Sequence, residues 1–129
     1  MKTLQPAGWA TPVGFTNGVV AGGRQLYVAG QVGWNPESCQ FETDDLVEQA
    51  RQALLNIVAV LKEAGAGPAD LVRLTWFITD KTAYLAARKE IGRAYREVIG
   101  RHYPPMSLLV VAGLLEDRAL VEIEATAVY

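Results

Sequence analysis

Two carboxylates stand two residues apart in VEIEATAV, Glu122 and Glu124, alternating with Val121, Ile123 and Ala125. That alternation has the period of a β-strand, so both acids point to the same face of a sheet. A carboxylate on a central strand costs free energy unless it is hydrogen-bonded, ion-paired or wet. Such a residue is either half of an interface ion pair, with Arg73 or Arg118 as partner, or a cleft acid that acts on a water or a leaving amine. A second candidate is Ala29-Gly30-Gln31, at the end of the run YVAGQ, where a glycine lets a ligand approach the backbone and amides can donate to its oxygen. A glycine needed only for the local backbone would look the same.

The other reactive residue types read as structural. His102, the single histidine, lies in HYPPMSLLVV with neither a nucleophile nor a metal-spaced carboxylate beside it. It therefore reads as a helix-end residue that interacts with the last carbonyls and the helix dipole. The single cysteine, Cys39, is flanked by Glu37, Ser38 and Gln40, with no cation to lower its pKa, and reads as a loop bystander. One histidine and one cysteine make no zinc site, and no glycine-rich phosphate loop occurs, so neither a metal nor another cofactor is expected.

Composition narrows the partners. Twelve basic and fourteen acidic residues give a net charge of −2, which offers no broad electropositive face for nucleic acid. The start of the chain lacks the apolar run of a secretory signal, and no run of about 18 apolar residues occurs anywhere. The expectation is a soluble, cytoplasmic protein without a membrane partner. At 129 residues, half of them hydrophobic, the chain fits one domain, 1–129, with one core.

These candidates need elements to hold them. Gly22-Gly23 between apolar runs predicts a hairpin with strands near 18–21 and 25–29, and QVGWNPESCQFE reads as a loop turned at Asn35-Pro36. In TDDLVEQARQALLNIVAVLKEAGAG, Asp45 and Glu48 form a capping-box pattern. Apolar residues then recur at helical spacing as far as the stop at Gly65. LVRLTWFITD alternates as a strand, with Val72, Leu74, Trp76 and Ile78 on one face and Arg73, Thr75, Phe77 and Thr79 on the other. KTAYLAARKEIGRAYREVIGRHY predicts a second helix ended by Pro104-Pro105. SLLVVAGLL and ALVEIEATAVY, flanking Glu116-Asp117-Arg118, predict a closing hairpin. The order β-β-α-β-α-β-β implies an α+β fold, a mostly antiparallel sheet with two helices on one face. The other face, half apolar, calls for cover by further subunits.

YVAGQVGWNPES, the segment from Asp44 to Asp80, HYPPMSLLVV and ALVEIEATAVY, in this order over some 110 residues, resemble the Rid family of the YjgF type. Its reactive-intermediate deaminases hydrolyse enamines and imines. The resemblance implies a chorismate-mutase-like (RidA-type) subunit in a homotrimer, with clefts between neighbours that each hold a small-molecule ligand. It also implies a glutamate on the last strand that activates water, which maps to Glu122. The backbone that contacts the ligand maps to Gly30 and Gln31, with Ala29 in place of the family's serine. The arginine that anchors the substrate carboxylate maps to Met106, and the cysteine two residues on maps to Leu108, with Ser107 between them. A tyrosine near the N-terminus corresponds to Phe15, and an asparagine of the second helix to Gly92.

Arginine makes two charge-assisted hydrogen bonds to a carboxylate, each worth about 1.5 to 3 kcal/mol. Methionine makes neither, so capture of a 2-imino acid should weaken about a hundredfold to more than ten-thousandfold. The resemblance thus implies a Rid-type hydrolase of an enamine, imine or related small molecule, with Glu122 positioning the water. Phe15, Trp34, Met106 and Leu108 would shape an apolar pocket, and activity on 2-imino acids would be low. The alternative is a non-catalytic trimer that binds a small ligand or a partner protein. An endoribonuclease role, sometimes attached to the family, fits poorly with the acidic charge. Arg88, Arg93 and Arg118 are the candidates for a substitute cation.

Overall fold

The computed structural model describes residues 1–129. Helix α1, Leu46–Glu63, forms where the apolar period is strongest. It buries Ala50, Ala53, Leu54, Ile57 and Leu61, and Gly65 just beyond its end adopts φ +78°. The Asp45 carboxylate accepts from the Glu48 amide at 3.0 Å. The reciprocal half of the capping box is absent, because the Glu48 carboxylate pairs with Arg51 at 3.3 Å.

The main sheet has the order β3-β6-β4-β5, from β3 (Gln25–Val32), β6 (Val121–Val128), β4 (Leu71–Ile78) and β5 (Met106–Val110). β6 lies antiparallel between β3 and β4, and β5 runs parallel to β4 on the outer edge. Neither expected hairpin forms. The strand that follows Gly22-Gly23 pairs with β6, while β2 (Gly18–Val20) pairs with a short N-terminal strand, β1 (Lys2–Leu4), that sequence reasoning missed. β5 and β6 do not pair with each other because β4 lies between them. The physical reason is the crossover: residues 79–105 are long enough to return the chain parallel to β4, which a tight turn cannot do. The central place then goes to β6, whose residues 121, 123, 125 and 127 are all buried.

The expected second helix is two, α2 (Lys81–Ala86) and α3 (Arg88–Val98), broken at Ala87. Asp80 caps α2 by accepting from the Ala83 amide at 3.0 Å. A bulge between Leu71 and Arg73 shifts the start of β4, so Leu71 is buried in place of Val72, whereas Leu74, Trp76 and Ile78 face the core as the alternation requires. Helices α1 and α3 cover this face, and Ile91, Tyr95 and Ile99 join the core cluster. The opposite face bears no helix. No helix is long and apolar enough to cross a membrane.

Candidate functional site

Glu122 sits on the central strand, opposite Phe77 of β4 and Val32 of β3. Beside it the β3 register skips from Val28 to Gln31 against Ala125 and Ile123, which leaves Ala29 and Gly30 in a bulge. Bulges of this kind release backbone groups from the ladder and re-aim neighbouring side chains. The Glu122 carboxylate lies over Gly30, so that a β-carbon at residue 30 would stand 2.6 Å from Oε2 and 2.8 Å from Cδ. Gly30 is therefore small because the acid occupies its side-chain space. The Gln31 side-chain Nε2 donates to the Ala29 carbonyl at 3.1 Å, within the same bulge.

Within one chain neither Glu122 nor Glu124 is ion-paired: the ion pairs join Arg51 to Glu48 and Glu97, and Arg118 to Asp44, while Arg73 lies near Glu124 without closing a pair. Arg118 also donates to the Phe41 carbonyl at 2.9 Å, which fixes it away from Glu122.

Phe15, Met106 and Leu108 come together elsewhere, in a cavity of about 580 Å³ between β5, the end of β4 and helices α2 and α3. Register explains the separation. Met106 and Leu108 lie opposite Leu74 and Trp76, on the helix-covered face, whereas Ser107 lies opposite Thr75, which in turn faces Glu124 on the uncovered face. β4 stands between the strand of Met106 and the strand of Glu122. Within one chain the site residues thus form two half-sites on opposite faces of the sheet. Gly92 lines the same cavity as Met106, as do Arg88 and Arg96; Arg93 and Arg118 do not. Trp34 is also outside it and packs on Phe41, with ring centroids 5.8 Å apart.

Two buried amides that the sequence reading missed hold the loops around Gly30. Asn56 of α1 donates to the carbonyls of Val32 and Trp34, each at 3.2 Å, while Gln49 donates to Thr43 and Arg118 and accepts from the Leu120 amide. A polar residue on the apolar side of an otherwise regular helix was the available signal. His102 is structural, although its partner is not a helix end. Its Nε2 donates to the Leu71 carbonyl at 2.7 Å, and the Tyr95 hydroxyl donates to the His102 carbonyl at 2.6 Å. Burial, aided by the neighbouring Tyr103 phenol, pushes Tyr95 well above the usual tyrosine pKa. Burial likewise raises Tyr84, against a smaller lowering effect of Arg88. Cys39 is exposed in a loop with φ 56°, and no cluster of acidic, histidine or cysteine side chains is arranged to hold a metal.

The fold is an α+β layer: a mixed, mostly antiparallel sheet with helices on one face and an acid set beside a bulge on the central strand. Residues 9–129 match the family described as Endoribonuclease L-PSP. A RutC family protein of Synechocystis is 36% identical over 129 residues, covering 99% of this chain and 96% of that one. The 2-iminobutanoate/2-iminopropanoate deaminase of Capra hircus is 34% identical over 105 residues, 81% of this chain and 73% of that protein. The crystal structure of a Rid family protein of unknown function, YyfB from Yersinia pestis, superposes with a TM-score of 0.86 at 34% identity, covering 99% and 98% of the two chains. The chain belongs to the Rid (YjgF) family, some of whose members are named as imine deaminases.

Proposed function

We propose that residues 1–129 form one RidA-like domain that hydrolyses an enamine, an imine or a related small molecule, with Glu122 as the base that activates water. The observation that carries this reading is the Glu122 carboxylate, held over Gly30 at a bulge and not ion-paired within its own chain. A base must be able to accept a proton, and an ion-paired carboxylate is a poorer base than a free one. In the proposed step Glu122 takes a proton from water as the water oxygen bonds to the imine carbon. The same carboxyl group returns that proton to nitrogen, giving a carbinolamine; it then takes the remaining hydroxyl proton and passes it to nitrogen as the carbon–nitrogen bond breaks, so that a carbonyl compound and ammonia leave. The step requires no cofactor.

Because the half-sites lie on opposite faces of one sheet, a cleft that uses both must draw them from different copies of the chain. We therefore place the site between subunits of a homotrimer, with Glu122, Ala29, Gly30 and Gln31 contributed by one copy and Phe15, Met106 and Leu108 by the next; Ser107, on the same sheet face as Glu122, borders the cleft. Trp34 is assigned to the bulge side through its loop. Met106 itself offers a substrate carboxylate no hydrogen bond, so small 2-imino acids should be poor substrates.

The test is hydrolysis of imines generated in situ by an amino-acid oxidase. Weak turnover of small 2-imino acids is expected, and Glu122→Gln should lower turnover of any accepted imine about 10²- to 10⁴-fold, with the circular dichroism spectrum unchanged. Full activity in Glu122→Gln would refute the role given to this acid. The apolar walls around Met106 favour a second reading, a non-catalytic trimer that binds a small ligand or partner. It would be supported by tight ligand binding without turnover of any imine.

A further inference from the structure

The cavity beside Met106 lacks the strand arginine that the resemblance led us to expect, yet it is not without cations. Arg88 and Arg96 lie eight residues apart on one side of α3, with Gly92 between them, and both line the cavity. The absence of a side chain at Gly92 leaves Arg96 Nη1 3.5 Å from where its β-carbon would be, so the guanidinium rests over the glycine. Neither arginine has an acidic partner, since every ion pair of the chain uses Arg51 or Arg118. No aspartate or glutamate lines the cavity, whose only formal charges are these two positive ones.

Trp76 is 5% exposed and lines the cavity, although its indole Nε1 is buried away from solvent and has no hydrogen-bond acceptor. Tyr84 and Tyr103 add aromatic surface suited to a flat apolar body.

We propose that this cavity binds a small organic acid, a carboxylate on an apolar or aromatic body, whose anion is held by Arg88 and Arg96 of α3 in place of an arginine at residue 106. The anion clamp has in effect moved from the strand to the helix, and the larger apolar space admits a bulkier acid than a site clamped at residue 106 would. The assignment rests on reading the cleft as a ligand site but does not depend on hydrolysis there. Guanidinium groups suit it because their planar fork matches a carboxylate while their flat faces tolerate apolar surroundings.

The test is calorimetric titration of the full chain with 3-phenylpropanoate and with its uncharged amide. The acid should bind about tenfold more tightly than the amide or better, and the Arg88→Gln/Arg96→Gln double variant should lose about tenfold in affinity for the acid and little for the amide. Both arginines are outside the buried core, so the variant should fold. In nitrogen-15 NMR spectra the Trp76 indole N–H resonance, assigned by Trp76→Phe, should shift on addition of the acid. Equal affinity for acid and amide, undiminished binding by the double variant, or no binding of the acid at all would each overturn the proposal. Glu122→Gln separates this proposal from the hydrolase reading. If the double variant loses binding while neither wild type nor Glu122→Gln turns over any imine, the clamp stands and hydrolysis fails. Glu122-dependent turnover of uncharged imines without any effect of the arginines on acid binding would overturn the clamp and leave hydrolysis standing.

Discussion

At residue 30 a single methyl group would compete with the Glu122 carboxylate for the same space. The clash falls on the far end of a flexible side chain, and Gly30 does not sit at positive φ, so the backbone tolerates alanine. Gly30→Ala should therefore change stability by less than about 1 kcal/mol yet lower imine turnover about tenfold to a hundredfold, because a displacement of about 1 Å at a reacting group is enough for that loss. Thermal melts alongside steady-state assays check both halves, and unchanged turnover would remove Glu122 from the proposed chemistry. The alternation of VEIEATAV made Glu122 legible as a strand acid, but nothing local could show Gly30 beneath it, since 92 residues separate the two in sequence. Arg88, Gly92 and Arg96 had a readable signal, their four-residue spacing on one helix face. It was masked by the ordinary expectation that helical arginines are solvated.

Among the elements, those decided by local patterns were legible and those decided by pairing were not. The period of α1, the cap at Asp45 and the alternation of β4 are intrinsic to their segments. The partners of β3 and β5 are not, because Gly22-Gly23 and Glu116-Asp117-Arg118 permit a turn without requiring its flanking strands to pair. The break at Ala87 carries no glycine or proline to announce it. Helix α3 makes one element-level prediction through Tyr95, whose hydroxyl ties the helix to the His102 carbonyl. Its folded pKa is raised above that of the unfolded chain, so the folded state keeps a proton that the unfolded state releases above about pH 10. Its contribution is fully present below about pH 10 and is lost as pH rises further, by at most about 1.4 kcal/mol per pH unit for this one proton. Tyr84 shifts in the same direction. Urea midpoints measured from pH 8 to 11.5 should fall at the alkaline end, and the fall should be shallower in Tyr95→Phe; equal slopes would show that Tyr95 is not the group responsible.

For the whole molecule, the uncovered sheet face is the feature that calls for a partner. Register places Leu109, Phe77 and Glu122 in one row across β5, β4 and β6 on that face, and Tyr27 of β3 lies opposite Thr126. Leu109 is 45% exposed and Tyr27 70% exposed in the single chain, an apolar cost that a solitary subunit would carry in water. The split of the site between the two faces gives the same requirement independently, because neither half-site can reach the other within one copy. A two-fold dimer would satisfy the first requirement; the proposed trimer is what the family resemblance implies. Light scattering should give about three times the 14.0 kDa chain, about 42 kDa. Leu109→Glu should preserve the fold of the single chain, since residue 109 lies outside the core cluster. It would also place a second carboxylate in the row of Glu122, where the proposed neighbouring subunit would exclude water. The variant should therefore sediment near 14.0 kDa and lose imine turnover although Glu122, Gly30 and Met106 are all intact. A wild-type protein that runs as a monomer and still turns over imines would place the site within one chain and discard the shared cleft.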